Sequence, residues 1–315
     1  MACVAGILLG PSDTGLLGRN TIATAGAAGA MGIEWRRRQR DRLIIHLVQK
    51  KVPATRAATK AALLAKSNRR NQEAPVRRAF VQQKLDGVSG PGPLAAFVTG
   101  RDERGLDALL LAIGMASAPP HNIRLDGAFA GIWSMAAAIG LPRSKQGVAA
   151  MSKVLARLEA RRFLVRGRNE KGERAIRLLK EDGSGEPYVH PFKATPHENY
   201  FKLPFSYWLD DYDERLTLAS KAVLLIALSL PKWFILPGSQ VKRWYGISAD
   251  TLQRGLDGLL REELIRRSKE YKTAPLAPLG FTEQWRYRLL PPFGRRWSPA
   301  EVDEEAKDPT SATVL

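Results

Sequence analysis

Side chains that could carry out catalytic chemistry are few and scattered along this chain. It has a single cysteine, Cys3, and four histidines, His46, His121, His190 and His197. A structural or catalytic zinc site needs several such ligands at short, regular spacings, and this set offers none. The His-x-His pair of metal-dependent strand-nicking enzymes is also absent. We therefore expect no metal site, no cofactor and no enzymatic activity.

A run of carboxylates is the one group that could suggest metal-dependent hydrolysis. It consists of Asp210, Asp211, Asp213 and Glu214. These residues come just before a predicted helix that begins near Thr217, where negative charge complements the positive end of the helix dipole. We expect them to have this structural role.

The charge of the chain favours a polyanionic partner. Lysine and arginine number 49 against 31 acidic residues, a net charge of +18. Positive charge exceeds negative in each of the segments 31–104, 105–182 and 183–300, and neutralising phosphates with such charge releases counterions. A basic protein without a nucleic-acid partner is the alternative.

The lone cysteine excludes internal disulfides and fits a reducing cytoplasm. Together with the positive charge, this leads us to expect a cytoplasmic, nucleoid-associated protein.

A membrane partner is not expected. The longest apolar run, residues 222–228, is far shorter than the roughly 20 residues that a bilayer-spanning helix requires.

Polar and basic side chains on two predicted helices have the residue types that read DNA. Arginine can bind guanine O6 and N7 together, and glutamine can bind adenine N6 and N7. Hairpin residues of the same kind are better suited to phosphates. The alternative is that each is part of a solvated helix face. The predicted base-reading residues are Arg143, Ser144, Lys145, Gln146, Lys153, Ser248, Thr251, Gln253 and Arg254. The predicted phosphate contacts are Arg166, Arg168, Lys171, Arg174, Arg266, Arg267 and Lys269.

Two similar patterns of elements hold these residues. In the first, apolar spacing predicts a helix starting near Leu106, a second over 129–140 and a third over 144–162, followed by strands 163–168 and 173–179. The second pattern has a helix over 217–230, a short strand over 234–236, a helix ending at Tyr245, and a third helix capped by Ser248. Strands 264–269 and 285–290 come next. Leu155 aligns with Leu256 and Leu158 with Leu259, which indicates an internal repeat at an offset of 101 residues.

Two stretches resemble known DNA-binding families. Residues 245–265, with the turn Gly246, Ser248, Thr251 and Arg254, resemble the turn and recognition helix of gluconate-repressor-type winged-helix regulators. Residues 201–204, Phe-Lys-Leu-Pro, followed by Ala-Ser-Lys-Ala at 219–222, resemble the entry to the winged helix of plasmid and phage replication initiators. Both resemblances imply a winged helix-turn-helix fold.

The expected fold is mainly α with small β wings, an α+β protein of two tandem winged-helix domains preceded by a basic helical arm. The predicted segments are a disordered region 1–30, a basic helical arm and linker 31–93, winged-helix domains 94–182 and 199–297, a linker 183–198 and an acidic disordered tail 298–315. Within the arm, residues 76–85 are predicted to be helical on propensity.

The expected function is sequence-specific binding of double-stranded DNA as a replication initiator of a plasmid or other mobile element. One alternative is a transcriptional regulator, and the other is a protein-interaction module that uses its winged helices without DNA. Replication or transcription machinery is the corresponding candidate partner besides DNA.

Overall fold

A computed structural model describes residues 54–85, 87–116, 122–124, 131–191 and 199–294. All of them belong to one compact unit. The fold mixes 44% helix with 23% strand in small antiparallel sheets, more strand than two small wings alone would supply. The predicted segments 1–30 and 298–315, and the part of the predicted arm before residue 54, lie outside the described residues.

The first described elements do not form the predicted arm. Helix α1, Arg56–Ala65, begins at Thr55, whose hydroxyl oxygen accepts a hydrogen bond from the Ala58 N–H. The next elements are strand β1, Glu73–Arg77, a 3-10 turn Arg78–Phe80, strand β2, Gln82–Leu85, strand β3, Val88–Pro91, and helix α2, Leu94–Thr99. The prediction of a helix over 76–85 is therefore wrong. Helix propensity is a weak preference, and here strand pairing overrides it.

Strand pairing also replaces the linker predicted within residues 87–93. Strand β3 pairs antiparallel with β2, and β1 pairs antiparallel with β7, Tyr200–Pro204, with Val76 opposite Phe201. The N-terminal elements are thus joined to residues more than a hundred positions further along the chain, and they belong to the same folded unit as the two groups of elements that come after them.

The first of two similar groups of elements spans residues 103–178 and is called the first repeat. It contains α3, Glu103–Met115, β4, Asn122–Arg124, α4, Ile132–Ala138, α5, Lys145–Ala160, β5, Leu164–Arg168, and β6, Arg174–Leu178. Its three strands form an antiparallel sheet in the order β4-β6-β5. The helices pack on this sheet through a core that includes Met151, Leu155 and Leu158 of α5.

The second repeat spans residues 218–289, after two short helices, α6, Ser206–Leu209, and α7, Tyr212–Arg215. It contains α8, Leu218–Ser229, β8, Trp233–Phe234, α9, Gly238–Tyr245, α10, Ala249–Arg261, β9, Ile265–Thr273, and β10, Phe281–Leu289. Its sheet has the order β8-β10-β9. The order of elements along the chain is therefore the same in both repeats. So is the order of strands in the sheet, in which the last strand lies in the middle.

The end of the third helix matches between the repeats in atomic detail. Arg162 and Glu263 each adopt a left-handed conformation, with φ of 61° and 55°. The next N–H groups, those of Phe163 and Leu264, donate to the carbonyls of Leu158 and Leu259. Each pair differs by 101 residue numbers, the offset that the leucine pattern predicted.

The predicted linker 183–198 is packed against the folded unit over its described part, residues 183–191. Glu181 is fully buried and accepts hydrogen bonds from the Arg77 backbone N–H at 2.7 Å and from Arg77 Nη1 at 2.8 Å. Arg77 Nη2 donates to the carbonyl of Val189 at 2.6 Å. A buried ion pair satisfied in this way fixes the segment in place, because breaking it would leave an uncompensated buried charge.

The two repeats also contact each other directly. Lys221 of α8 is buried, and its ammonium donates to Asp107 of α3 at 2.8 and 2.9 Å and pairs with Glu103 at 2.8 Å. Burial raises the pKa of Asp107 to about 6. Apolar residues from both repeats belong to one continuous core, so the repeats share a core rather than forming two independent domains.

None of the helices within the described ranges combines the length and apolarity that a bilayer-spanning segment needs.

Candidate nucleic-acid interface

Helix α5 presents most of the first predicted set to solvent. Ser144 caps the helix, its hydroxyl oxygen accepting from the Gly147 N–H at 3.2 Å. Lys145, Gln146 and Lys153 are exposed. Arg143 differs, because its Nη2 donates to Thr59 Oγ1 of α1 at 2.6 Å. The structure therefore brings four of these five residues to one helix and directs the guanidinium of the fifth toward α1.

The β5–β6 hairpin holds the predicted phosphate contacts of the first repeat. Arg166 is tied to the end of α5, with its Nε 2.6 Å from Glu159 Oε2. Arg168 Nη1 donates to the carbonyl of Gly172 across the turn. Lys171 and Arg174 are exposed at and beside that turn. The predicted strands 163–168 and 173–179 are confirmed as a hairpin, and the turn between them closes where the Gly172 N–H donates to the Asn169 carbonyl.

Helix α10 holds the second predicted set, and its polar residues pair with one another. Ser248 caps the helix by accepting from the Thr251 N–H at 3.1 Å. Arg254 Nη2 lies 2.9 Å from Asp250 Oδ2, and Gln253 donates to Asp257 at 2.9 Å. The side chains of Arg254 and Asp250 are 65% and 77% exposed, so this pair is weak and Arg254 can exchange it for another acceptor.

The β9–β10 hairpin holds the phosphate contacts predicted for the second repeat. Arg267 lies over the ring of Trp285, 4.7 Å from its centroid, and Lys269 pairs with Glu283 at 3.1 Å. Arg266 is exposed on the opposite face of β9, since its side chain alternates with that of Arg267.

The segment that precedes α3 lies between the third helices of the two repeats. Asp102 caps α3 and accepts from Arg157 of α5 at 2.8 Å and from Arg161 at 3.1 Å. On its other side, Arg101 and Glu103 line a cleft of about 810 Å³ shared with α10. The residues of α10 in this cleft are Thr251, Arg254, Asp257, Gly258 and Arg261.

Arg101 and Arg261 are the residues of this cleft that the sequence analysis missed. Arg261 lies seven residues after Arg254, a spacing that returns to the same side of a helix, and this was the available signal. Arg101 lies in the turn before α3, and no local pattern connects it with α10. The cleft is therefore lined by three arginines, Arg101, Arg254 and Arg261, from two distant parts of the chain, together with the acidic Glu103 and Asp257.

The run of carboxylates before α8 surrounds a lysine. Lys60 of α1 is fully buried, and its ammonium lies 2.6 Å from Asp211, 2.8 Å from Asp213 and 2.7 Å from Glu214. Burial would lower the pKa of Lys60, but the hydrogen bonds to the three carboxylates outweigh it and raise the pKa. These three are the described carboxylates close enough together to hold a metal ion, and an ammonium already lies at their centre. Three of the four carboxylates in the run therefore form an ion-pair cluster with Lys60, a contact that the sequence analysis did not predict.

Each second helix carries a tryptophan at a spacing typical of an apolar helix side, but the two differ in exposure. Trp244 of α9 is half-buried against the core. Trp133 of α4 is 46% exposed and does not belong to the core.

Comparisons with protein-family models, with curated proteins and with solved structures find no match to this chain.

Proposed function

We propose that this chain is a sequence-specific double-stranded DNA-binding protein that uses two tandem winged helices and is not an enzyme. The observation that supports this most is the repetition of one element order, with the same sheet order and the same third-helix ending 101 residues apart. Three helices followed by a two-stranded hairpin are the parts of a winged helix, in which the third helix enters the major groove.

The charge and exposure of α5, the third helix of the first repeat, fit this role. Lys145 and Lys153 are exposed on α5 and form no ion pair with another described residue. The hairpins that come after α5 and α10 carry the basic residues suited to phosphates. We further propose that the protein initiates replication of a plasmid or other mobile element and is nucleoid-associated, on the resemblance of residues 201–204 and 219–222 to such initiators.

A protein-interaction module is the second candidate. The pairing of Arg254 with Asp250 and of Gln253 with Asp257 neutralises much of the outward face of α10. A face with little net charge is less typical of a DNA-reading helix than of a protein contact.

Selection of bound duplexes from a random pool, followed by footprinting, tests the proposal. We expect one preferred sequence and protection of two major-groove segments about one helical turn, ~34 Å, apart. The Arg254→Ala variant should relax preference at one base pair at a cost of about 1 to 3 kcal/mol, because a bidentate base contact is lost.

Arg104→Ala is the matched control, since it removes the same charge from the exposed surface of α3. It should leave sequence preference unchanged. Equal weakening by Arg254→Ala on selected and random duplex would make Arg254 a phosphate contact, and a pool that yields no preferred sequence would contradict the proposal.

A further inference from the structure

The β9–β10 hairpin extends well beyond the sheet to which it belongs. Its strands pair along their whole length, from Ile265 opposite Leu289 to Thr273 opposite Phe281. Nine residues at about 3.3 Å each give a ribbon roughly 30 Å long. Strand β8 pairs only with Tyr287 and Arg288 at its base. The outer part of the hairpin is therefore a two-stranded ribbon with no third strand among the described residues.

One face of this ribbon carries three exposed aromatic rings. Cross-strand partners in an antiparallel pair point to the same face, and the register places Lys269 opposite Trp285, Tyr271 opposite Glu283, and Thr273 opposite Phe281. Trp285, Tyr271 and Phe281 are 39%, 50% and 41% exposed. The ring centroids of Tyr271 and Phe281 lie 5.4 Å apart in an edge-to-face arrangement.

Cationic side chains lie between and beside these rings. Arg267 and Lys269 both lie against Trp285, with the Lys269 Nζ 5.5 Å from the ring centroid. On this face the basic residues are Arg267 and Lys269, and the acidic residue is Glu283, which pairs with Lys269 at 3.1 Å. The side chains of Arg266, Lys272, Arg286, Arg288 and Glu270 alternate with these and lie on the opposite face of the hairpin.

We propose that this face binds single-stranded nucleic acid, with bases stacked on Tyr271 and Phe281 and phosphates held by Arg267 and Lys269. Such sites combine a positive surface with aromatic platforms that accept any base. In a duplex the faces of the bases are covered by neighbouring base pairs, so these rings could not stack on them. A protein partner would favour an apolar centre depleted of charge, whereas here Arg267, Lys269 and Glu283 share the face with the rings.

The spacing of the side-chain rows that carry the rings supports binding of an extended strand. Successive rows of side chains on one face of the ribbon are about 6.6 Å apart, two residues along a strand. This is about twice the ~3.4 Å rise per nucleotide within one strand of B-DNA. A single strand drawn out along the ribbon, rather than one wound in a duplex, therefore matches the rows.

Fluorescence anisotropy of the full chain with labelled strands tests the inference. The probes are oligo-dT and oligo-U of about 15 nucleotides, an abasic deoxyribose-phosphate strand of equal length, and a duplex. We expect oligo-dT to bind more tightly than the abasic strand, and the oligo-U arm to tell whether DNA or RNA is preferred. The Tyr271→Ala/Phe281→Ala double variant should weaken oligo-dT binding about tenfold or more, through lost stacking.

The same variant should leave duplex binding unchanged, and Trp133→Ala, which removes an equally exposed ring from α4, should leave oligo-dT binding unchanged. Thermal unfolding of both variants checks that the fold is intact. Equal binding of the abasic strand and oligo-dT would overturn the inference. So would unchanged oligo-dT binding in the folded double variant. If the wild type then self-associates in sedimentation and the double variant does not, this face joins two copies of the chain instead.

This inference goes beyond the duplex binding proposed above, and the two can fail separately. Duplex binding without single-strand binding would overturn only the role of the ribbon face. Single-strand binding without any duplex preference would overturn only the proposed function.

Discussion

At the scale of single residues, Asp102 joins the start of α3 to α5, the third helix of the first repeat. It caps α3 by accepting from the Gly105 N–H at 3.1 Å, and it pairs with Arg157 and Arg161 of α5. Burial would raise the pKa of Asp102, but the hydrogen bond from Arg157, the charges of both arginines and the Gly105 N–H outweigh it and lower the pKa. The charged form is therefore the one that the folded state stabilises.

Asp102→Asn should separate the ionic role of this residue from its capping role, because asparagine caps a helix about as well as aspartate. We expect the free energy of unfolding at pH 7 to fall by about 1 kcal/mol, since the arginine partners are partly exposed. A carboxylate whose pKa is lowered in the folded state stabilises the fold at pH values above its ordinary pKa of 3.8. This stabilisation is lost as the pH falls through the folded-state pKa. The difference between wild type and variant in urea unfolding should thus shrink below about pH 4.

Asp210→Asn, at an exposed carboxylate before α7, is the control for this prediction and should change stability little at any pH. A difference between wild type and Asp102→Asn that stays constant with pH would mean that the ion pairs with α5 contribute nothing.

At the scale of elements, the position of α10 depends on how closely it approaches α8. A Cβ added at Gly255 would lie 2.7 Å from the Ala219 carbonyl oxygen and closer still to Val223 Cγ2. Gly258 faces Ser220 in the same way. Glycine inside a helix costs about 1 kcal/mol relative to alanine, so two glycines in α10 are explained by this contact and not by helix propensity.

Gly255→Ala should therefore destabilise the protein, despite the gain in helix propensity. Overpacking of a close contact costs about 1 to 3 kcal/mol, which exceeds that gain. Gly238→Ala is the matched control, because a Cβ there meets only Ala249 Cβ at an ordinary 3.6 Å. Thermal unfolding should show a lower midpoint for Gly255→Ala and an unchanged or higher one for Gly238→Ala. A stabilised Gly255→Ala would show that the two helices can move apart freely.

At the scale of the whole molecule, the residues before the first repeat are part of the fold. Strand β1 pairs with β7, Arg77 is buried with Glu181, and Lys60 holds three carboxylates next to α7. The two repeats are joined in addition by Lys221 and Asp107. Removing the N-terminal strands would thus expose buried charge as well as apolar surface.

Two truncations should behave differently for this reason. Deleting residues 1–53 should leave a single cooperative thermal transition, lower affinity for all DNA alike and flatten its salt dependence, because basic residues of 36–51 are lost. The preferred DNA sequence should stay the same. Deleting residues 1–90 should abolish cooperative unfolding, monitored by circular dichroism. A stable 91–315 chain would contradict the structural role of β1–β3, and equal slopes of log affinity against log salt would show that 1–53 does not touch DNA.

The sequence alone determined the elements whose signals are local. Leucine spacing, the cap Ser248 and the turn at Gly246 predicted both third helices, and the 101-residue offset is present in the structure. The hairpin strands were predicted too, although β9 and β10 extend beyond the predicted 264–269 and 285–290. These features depend on contacts within a few residues or on the apolar face of one helix, so a linear pattern contains them. The outward positions of Lys145, Gln146 and Lys153 on α5 result from the same periodicity.

Tertiary structure decided what depends on partners far along the chain. Residues 76–77 and 82–85 form strands because Tyr200–Pro204 and Val88–Pro91 lie beside them, with a 3-10 turn Arg78–Phe80 between. The carboxylates before α8 surround Lys60, some 150 residues earlier, and Arg101 meets Arg254 only across a cleft. Strand pairing, buried ion pairs and clefts depend on contacts between distant parts of the chain, and no spacing in the linear chain records which distant residue supplies the partner.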